Sequence, residues 1–82
     1  MVSKLEYVEK SSYRVKVLKA MGDDVKIPTK IAEDSGVLRS HLSNVLRELR
    51  EKELVECINP NSKKGRLYRL TEEGSEILNE IK

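Results

Sequence analysis

Apolar positions follow a helical period in the first two thirds of the chain and a strand period after that. Leu38, Leu42, Val45, Leu46 and Leu49 fall at i, i+4, i+7, i+8 and i+11, which is one face of a helix. This predicts a helix over about 39–52. Ser40, Asn44, Arg47 and Glu51 then lie on the opposite face, with Ser43 and Arg50 on one flank and His41 and Glu48 on the other. A shorter periodic run precedes it, with Ile31 and the small Ala32 facing inward, and Gly36 ends that run. Pro28 suits the first turn of that helix. Ile27 is a poor N-cap and Thr29 a good one, so its start is open by a residue or two. Upstream, Ser11 or Ser12 caps a helix whose stripe is Val17, Leu18 and Met21 and whose stop is Gly22. Arg14 sits at the edge of that stripe, and Tyr13 and Val15 fall on its two flanks, either exposed or available to contact a partner. Leu5 and Val8 are three apart, so residues 1–10 either extend this helix or fray.

The period then changes to two. Val55 and Cys57 share one face of a strand over 54–58, and Tyr68 and Leu70 share one face of a second over 66–71. The turn formers Asn59-Pro60-Asn61-Ser62-Lys63-Lys64-Gly65 join them as a β-hairpin. Val25 to Ile27 is short enough to add only one or two residues to that sheet. Thr71 caps a last helix with Glu72 and Glu73 in its first turn, where carboxylates suit the helix dipole. Its apolar stripe is Ile77, Leu78 and Ile81. Gly74 is unfavourable in a helix, which points to a close backbone approach. The expected architecture is mainly α with a small antiparallel sheet, an α+β domain spanning 1–82.

Composition adds limits. With 82 residues there is room for one domain, burying about 60% of its unfolded surface. Phe and Trp are absent, so Leu, Ile, Val and Tyr build the core. No run approaches the ~20 apolar residues of a membrane span, and no signal peptide opens the chain. Cys57 is alone, and one Cys with one His does not make a structural zinc site. These features favour the cytoplasm and imply no cofactor and no small-molecule ligand. No nucleophile–base set or phosphate-cradling Gly motif is present, so no enzyme is expected. Cys57 alternates inward with Val55 and reads as a small buried hydrophobe.

Charge is informative through its placement. The formal net charge is only +2. Between Glu56 and Glu72 there is no acidic residue, yet Lys63, Lys64, Arg66 and Arg69 all lie there. Acids dominate the last helix. A basic hairpin tip beside a polar helix face is the electrostatic footprint of a phosphate-backbone contact.

Two helices joined by a tight turn containing Gly form a helix-turn-helix unit. Ile31-Ala32-Glu33-Asp34-Ser35-Gly36, Ser40-His41-Leu42-Ser43 and Leu46-Arg47-Glu48-Leu49 resemble winged helix-turn-helix transcriptional regulators. Gly65-Arg66-Leu67-Tyr68-Arg69-Leu70-Thr71-Glu72-Glu73-Gly74 is similar to their wing and following helix. The likeness is to short, single-domain archaeal members near the ArsR and MarR groups, and covers residues 11–82. It implies the order helix, short strand, helix, helix, strand, wing, strand, helix. Family members often carry Gly where this chain has Glu53; either a left-handed Glu53 costs about 1 kcal/mol or the helix ends differently. The clustered thiols of ArsR-type metal sensors are absent, so metal sensing does not carry over.

The expected partner is double-stranded DNA. The helix at 39–52 would lie in the major groove, with Ser40, Ser43, Asn44 and Arg47 reaching base edges or nearby phosphates. Arg39 and His41 would meet phosphate, as would Thr29 and Lys30 at the start of the preceding helix. Lys63, Lys64 and Arg66 of the wing, 59–66, would hold the backbone or minor groove. A homodimer would pair Leu5, Tyr7 and Val8 with Ile77, Leu78 and Ile81 across a two-fold axis. The alternative is a winged-helix module for protein–protein contact in a larger assembly, using Ile58 and Leu67 on the outer hairpin face. RNA is a weaker option, because aromatics for base stacking are few.

Overall fold

The computed structural model of the protein describes residues 3–81. Ser3 caps a first helix, α1 (Lys4–Glu9), by accepting from the Glu6 amide at 3.1 Å. This corrects the expectation that the N-terminal stretch extends the next helix or frays; Met1 and Val2 lie outside the described residues. Ser11 accepts from the Arg14 amide and so starts a separate helix, α2 (Ser12–Met21). After a connector come α3 (Pro28–Ser35) and α4 (Arg39–Glu51), joined through Gly36, whose φ of 73° is the left-handed value that glycine adopts without strain. Ile27 occupies the cap position of α3 without a side-chain bond, and Pro28 is its first residue, so Thr29 lies inside the helix rather than capping it.

The hairpin is shorter than the alternation suggests. β1 (Val55–Cys57) pairs antiparallel with β2 (Tyr68–Leu70) in the register Val55–Leu70, Glu56–Arg69 and Cys57–Tyr68. Lys26 adds a one-residue third strand, its N–H and C=O bonding Tyr68 at 3.0 and 2.9 Å. The Lys26 ammonium reaches the Ala20 carbonyl at 2.5 Å and Asp34 at 2.7 Å, so one residue ties α2, α3 and the sheet together. The final helix is α5 (Glu72–Ile81).

The core is one cluster. It joins Val8 of α1, Val17, Leu18 and Met21 of α2, Ile31 of α3, Leu42, Val45, Leu46 and Leu49 of α4, Leu54 and Val55, Tyr68 and Leu70, and Leu78 of α5. Leu38 is a correction to the predicted stripe: it lies at the cap position of α4, 68% exposed, and Val37 enters the core instead. At this position the backbone is not yet helical, so the helical period does not set the side chain's direction. Of the residues expected at a dimer surface, Val8 and Leu78 are buried in their own core. The Tyr7 ring is covered by Arg14, 3.7 Å from its centroid, and Lys52, 5.0 Å away. Arg14 also donates to the Tyr7 carbonyl at 2.8 Å and pairs with Glu48 at 3.3 Å, binding α1 and α2 to α4. Leu5, Ile77 and Ile81 are half-buried.

The turn after α4 decides where the hairpin starts. The Glu53 and Leu54 amides donate to Arg50 and Leu49 carbonyls, both at 2.9 Å, with Glu53 at φ 61°. This is the Schellman arrangement, with a glutamate in the seat glycine usually takes. The Thr71 hydroxyl donates to the Glu53 carbonyl at 2.6 Å and accepts from the Gly74 amide at 3.1 Å. A Cβ on Gly74 would overlap the Leu54 carbonyl oxygen, which explains the glycine in α5.

Two outcomes are expected. Glu53→Gly relieves the left-handed strain and raises stability by about 1 kcal/mol, read as a higher urea midpoint with unchanged slope. The hydrogen bond from Lys26, with help from Lys30, lowers the Asp34 pKa below its ordinary value against the opposing effect of burial. That contribution is complete above the ordinary Asp pKa near 3.9 and is lost as pH falls through the lowered folded value. The urea midpoint of Asp34→Asn should therefore lie below wild type at pH 7, and the gap should shrink at pH 3.

Candidate nucleic-acid interface

The amphipathic pattern of α4 turns Arg39, Ser40, His41, Ser43, Asn44, Arg47 and Arg50 to solvent. Local contacts hold several of these. Ser43 donates back to the Arg39 carbonyl at 3.3 Å, and Arg47 donates to the Asn44 side-chain oxygen at 3.4 Å. The Asn44 oxygen thus faces a guanidinium while its NH₂ keeps two donors. Glu48, on the flank, is occupied by Arg14. His41 stacks on Tyr13 of α2, ring centroids 5.1 Å apart.

The wing loop is built on Asn59. Its side-chain oxygen accepts from the Leu67 amide at 2.7 Å and its NH₂ donates to the Gly65 carbonyl at 3.2 Å. Ile58 bonds the Leu67 carbonyl at 2.8 Å, and the Arg66 guanidinium donates to the Ser62 carbonyl at 3.0 Å. The Ser62 hydroxyl donates to the Lys64 carbonyl. These bonds leave Lys63 and Lys64 exposed. Cys57 is half-buried against the core, its Sγ 3.8 Å from the same Asn59 oxygen.

Two clefts join the helices to the wing. One, of about 370 Å³, is lined by Ile27, Pro28, Thr29, Arg39, Lys63, Lys64, Gly65 and Arg66. The other, of about 300 Å³, is lined by Pro28, Ser43, Leu46, Arg47, Arg50, Arg66 and Tyr68. Among the described residues, no carboxylate lines either. Several cations elsewhere are paired: Arg69 with Glu56 at 2.6 Å, Lys4 with Glu73 at 2.6 Å, and Lys30 with Asp34 at 3.4 Å. The fold therefore brings Thr29, Arg39, Ser43, Arg47, Lys63, Lys64 and Arg66 to the two clefts. Ser40, His41 and Asn44 lie on the exposed face of α4, and Lys30 is drawn toward Asp34.

Sequence reasoning missed three residues. In the sequence Arg50 falls on a flank of the predicted helix, although its i+3 spacing from Arg47 is visible. Asn59 shows there only as a turn former, and the stack of Tyr13 on His41 has no signal. Among the described residues, no group of three or more His, Cys, Asp or Glu could hold a metal ion, and no helix is long and apolar enough to cross a membrane.

The winged helix-turn-helix family model matches residues 9–82. The chain belongs to the winged helix-turn-helix family. No curated protein sequence matches it. Among solved structures, a ZitR variant from Lactococcus lactis is similar over 87% of this chain and 49% of its own, at 24% identity and TM-score 0.74. Bordetella bronchiseptica BpsR matches over 82% and 52%, at 19% identity and TM-score 0.74. A MarR family transcriptional regulator from Silicibacter pomeroyi matches over 93% and 57%, at 18% identity and TM-score 0.76. This winged-helix chain thus spans about half the length of those proteins, and at these identities the likeness is one of fold.

Asn59→Ala leaves the Leu67 amide without its acceptor. The Leu67 and Gly65 segment should then exchange amide hydrogens faster, while amides in the core of α4 keep their protection.

Proposed function

We propose that this winged-helix domain binds double-stranded DNA in a sequence-specific manner as a transcriptional regulator. The observation that carries the reading is the convergence of Arg47, Arg50 and Arg66 on one cleft that no carboxylate lines. Guanidinium groups gathered without anions suit a phosphate, which they can bind bidentately. In this reading α4 enters the major groove, with Ser40 and Asn44 toward base edges and Arg47 at base edges or the nearby phosphate of the arginine cleft. Arg39, Thr29, Lys63, Lys64 and Arg66 hold backbone phosphates around the neighbouring cleft, with His41, Ser43 and Lys30 at the margin. Support also comes from two structural relatives. The DNA binding of BpsR is regulated by 6-hydroxynicotinic acid, and the Silicibacter pomeroyi protein is a transcriptional regulator. A two-fold pair would use the half-buried Leu5, Ile77 and Ile81, without Val8 or Leu78.

One observation favours the protein-contact reading: Ile58 is 43% exposed on the hairpin. A fluorescent random duplex titrated at several salt concentrations separates the two. DNA binding predicts micromolar affinity that falls steeply with salt. Lys63→Ala/Lys64→Ala should flatten the log–log slope by roughly 1.8, at about 0.9 per phosphate contact. On a site selected from a random library, Arg47→Ala should weaken binding by about 1–3 kcal/mol. Absence of binding at low salt, or folded variants that bind as wild type does, would reject this assignment.

A further inference from the structure

Of the three tyrosines, Tyr68 is buried in the sheet and Tyr7 is covered by Arg14 and Lys52. Tyr13 is 41% exposed on the first turn of α2. Its ring lies on the His41 imidazole, with centroids 5.1 Å apart and planes 18° apart. His41 is the third residue of α4, exposed beside Ser40 and Asn44. The stack therefore ties α2 to the end of the reading helix whose side chains reach base edges.

We infer that Tyr13 is a positioning residue of the DNA interface: it holds the His41 imidazole for a hydrogen bond to the nucleic acid, and extends the interface from α4 onto the first turn of α2. This inference rests on the DNA reading above. Stacking engages the face of the imidazole and leaves its edge, which carries both ring nitrogens, for a phosphate oxygen or a purine acceptor. A ring already held against a neighbour loses less rotational freedom when DNA arrives than a free side chain does. Tyr13 stands outside the buried core, so its loss touches stability little.

The test is a double-mutant cycle on the fluorescent duplex at one fixed salt concentration. Wild type is compared with Tyr13→Ala, Tyr13→Phe, His41→Ala and the Tyr13→Ala/His41→Ala pair, each with a thermal melt. Tyr13→Ala should weaken binding roughly three- to tenfold, with its melting temperature close to wild type. Tyr13→Phe, which keeps the ring, should restore affinity. His41→Ala should lose at least as much as Tyr13→Ala, and the double variant should be no weaker than His41→Ala alone, because the two act through one contact. Wild-type binding by Tyr13→Ala, losses that multiply in the double variant, or failure of Tyr13→Phe to rescue would each overturn the inference while leaving the DNA reading standing. A wild-type protein that ignores duplex DNA at low salt instead removes the DNA reading, and this inference with it.

Discussion

The turn at Glu53 and Leu54 is the joint on which the winged-helix arrangement depends. It ends α4 in a left-handed residue, sends the chain into β1, and receives the start of α5 through Thr71. One threonine hydroxyl serves both sides, donating to the turn and capping the helix that packs on it. Gly74 lets the α5 backbone come close enough for this to happen. The helix that carries the exposed arginines and the hairpin that carries the lysines are thereby held at one angle. A loose joint would leave two separate charged surfaces rather than shared clefts.

Charge follows the same division. Arg69, the hairpin cation nearest the acids of α5 in sequence, is paired with Glu56 and shares a cleft with Glu72. Lys63, Lys64, Arg66, Arg47 and Arg50 surround clefts lined by no acid. A net charge of +2 is thus a poor guide to the potential at these two clefts, whose described lining is basic and carries no carboxylate.

Much of this was legible in the sequence. The period of α4, the glycine stop of α3, the hairpin and its basic tip, a serine cap at 11 or 12 and the tight approach at Gly74 were all local or chemically distinctive. Glu53 stood out through the family resemblance, as a glutamate where relatives often carry glycine, which left open whether the helix ends left-handed there. Other features were not. Leu38 fits the apolar period but sits at a non-helical cap, where the period no longer sets direction. Residues 4–9 offered only Leu5 and Val8, too short a stretch to separate a new helix from an extension.

The sequence by itself determined which elements form, where glycine, proline and serine punctuate them, and which face of each is apolar. Those properties arise from backbone preference and from spacing within a dozen residues. Only the tertiary structure decided which surfaces meet. It buried Val8 and Leu78 in one core, set Arg66 beside Arg47 and Arg50, let Lys26 bridge three elements and laid Tyr13 on His41. Each of these joins residues from separate elements. The period of a single segment shows that it has a face to cover, but the partner for that face is chosen by the packing of the whole chain.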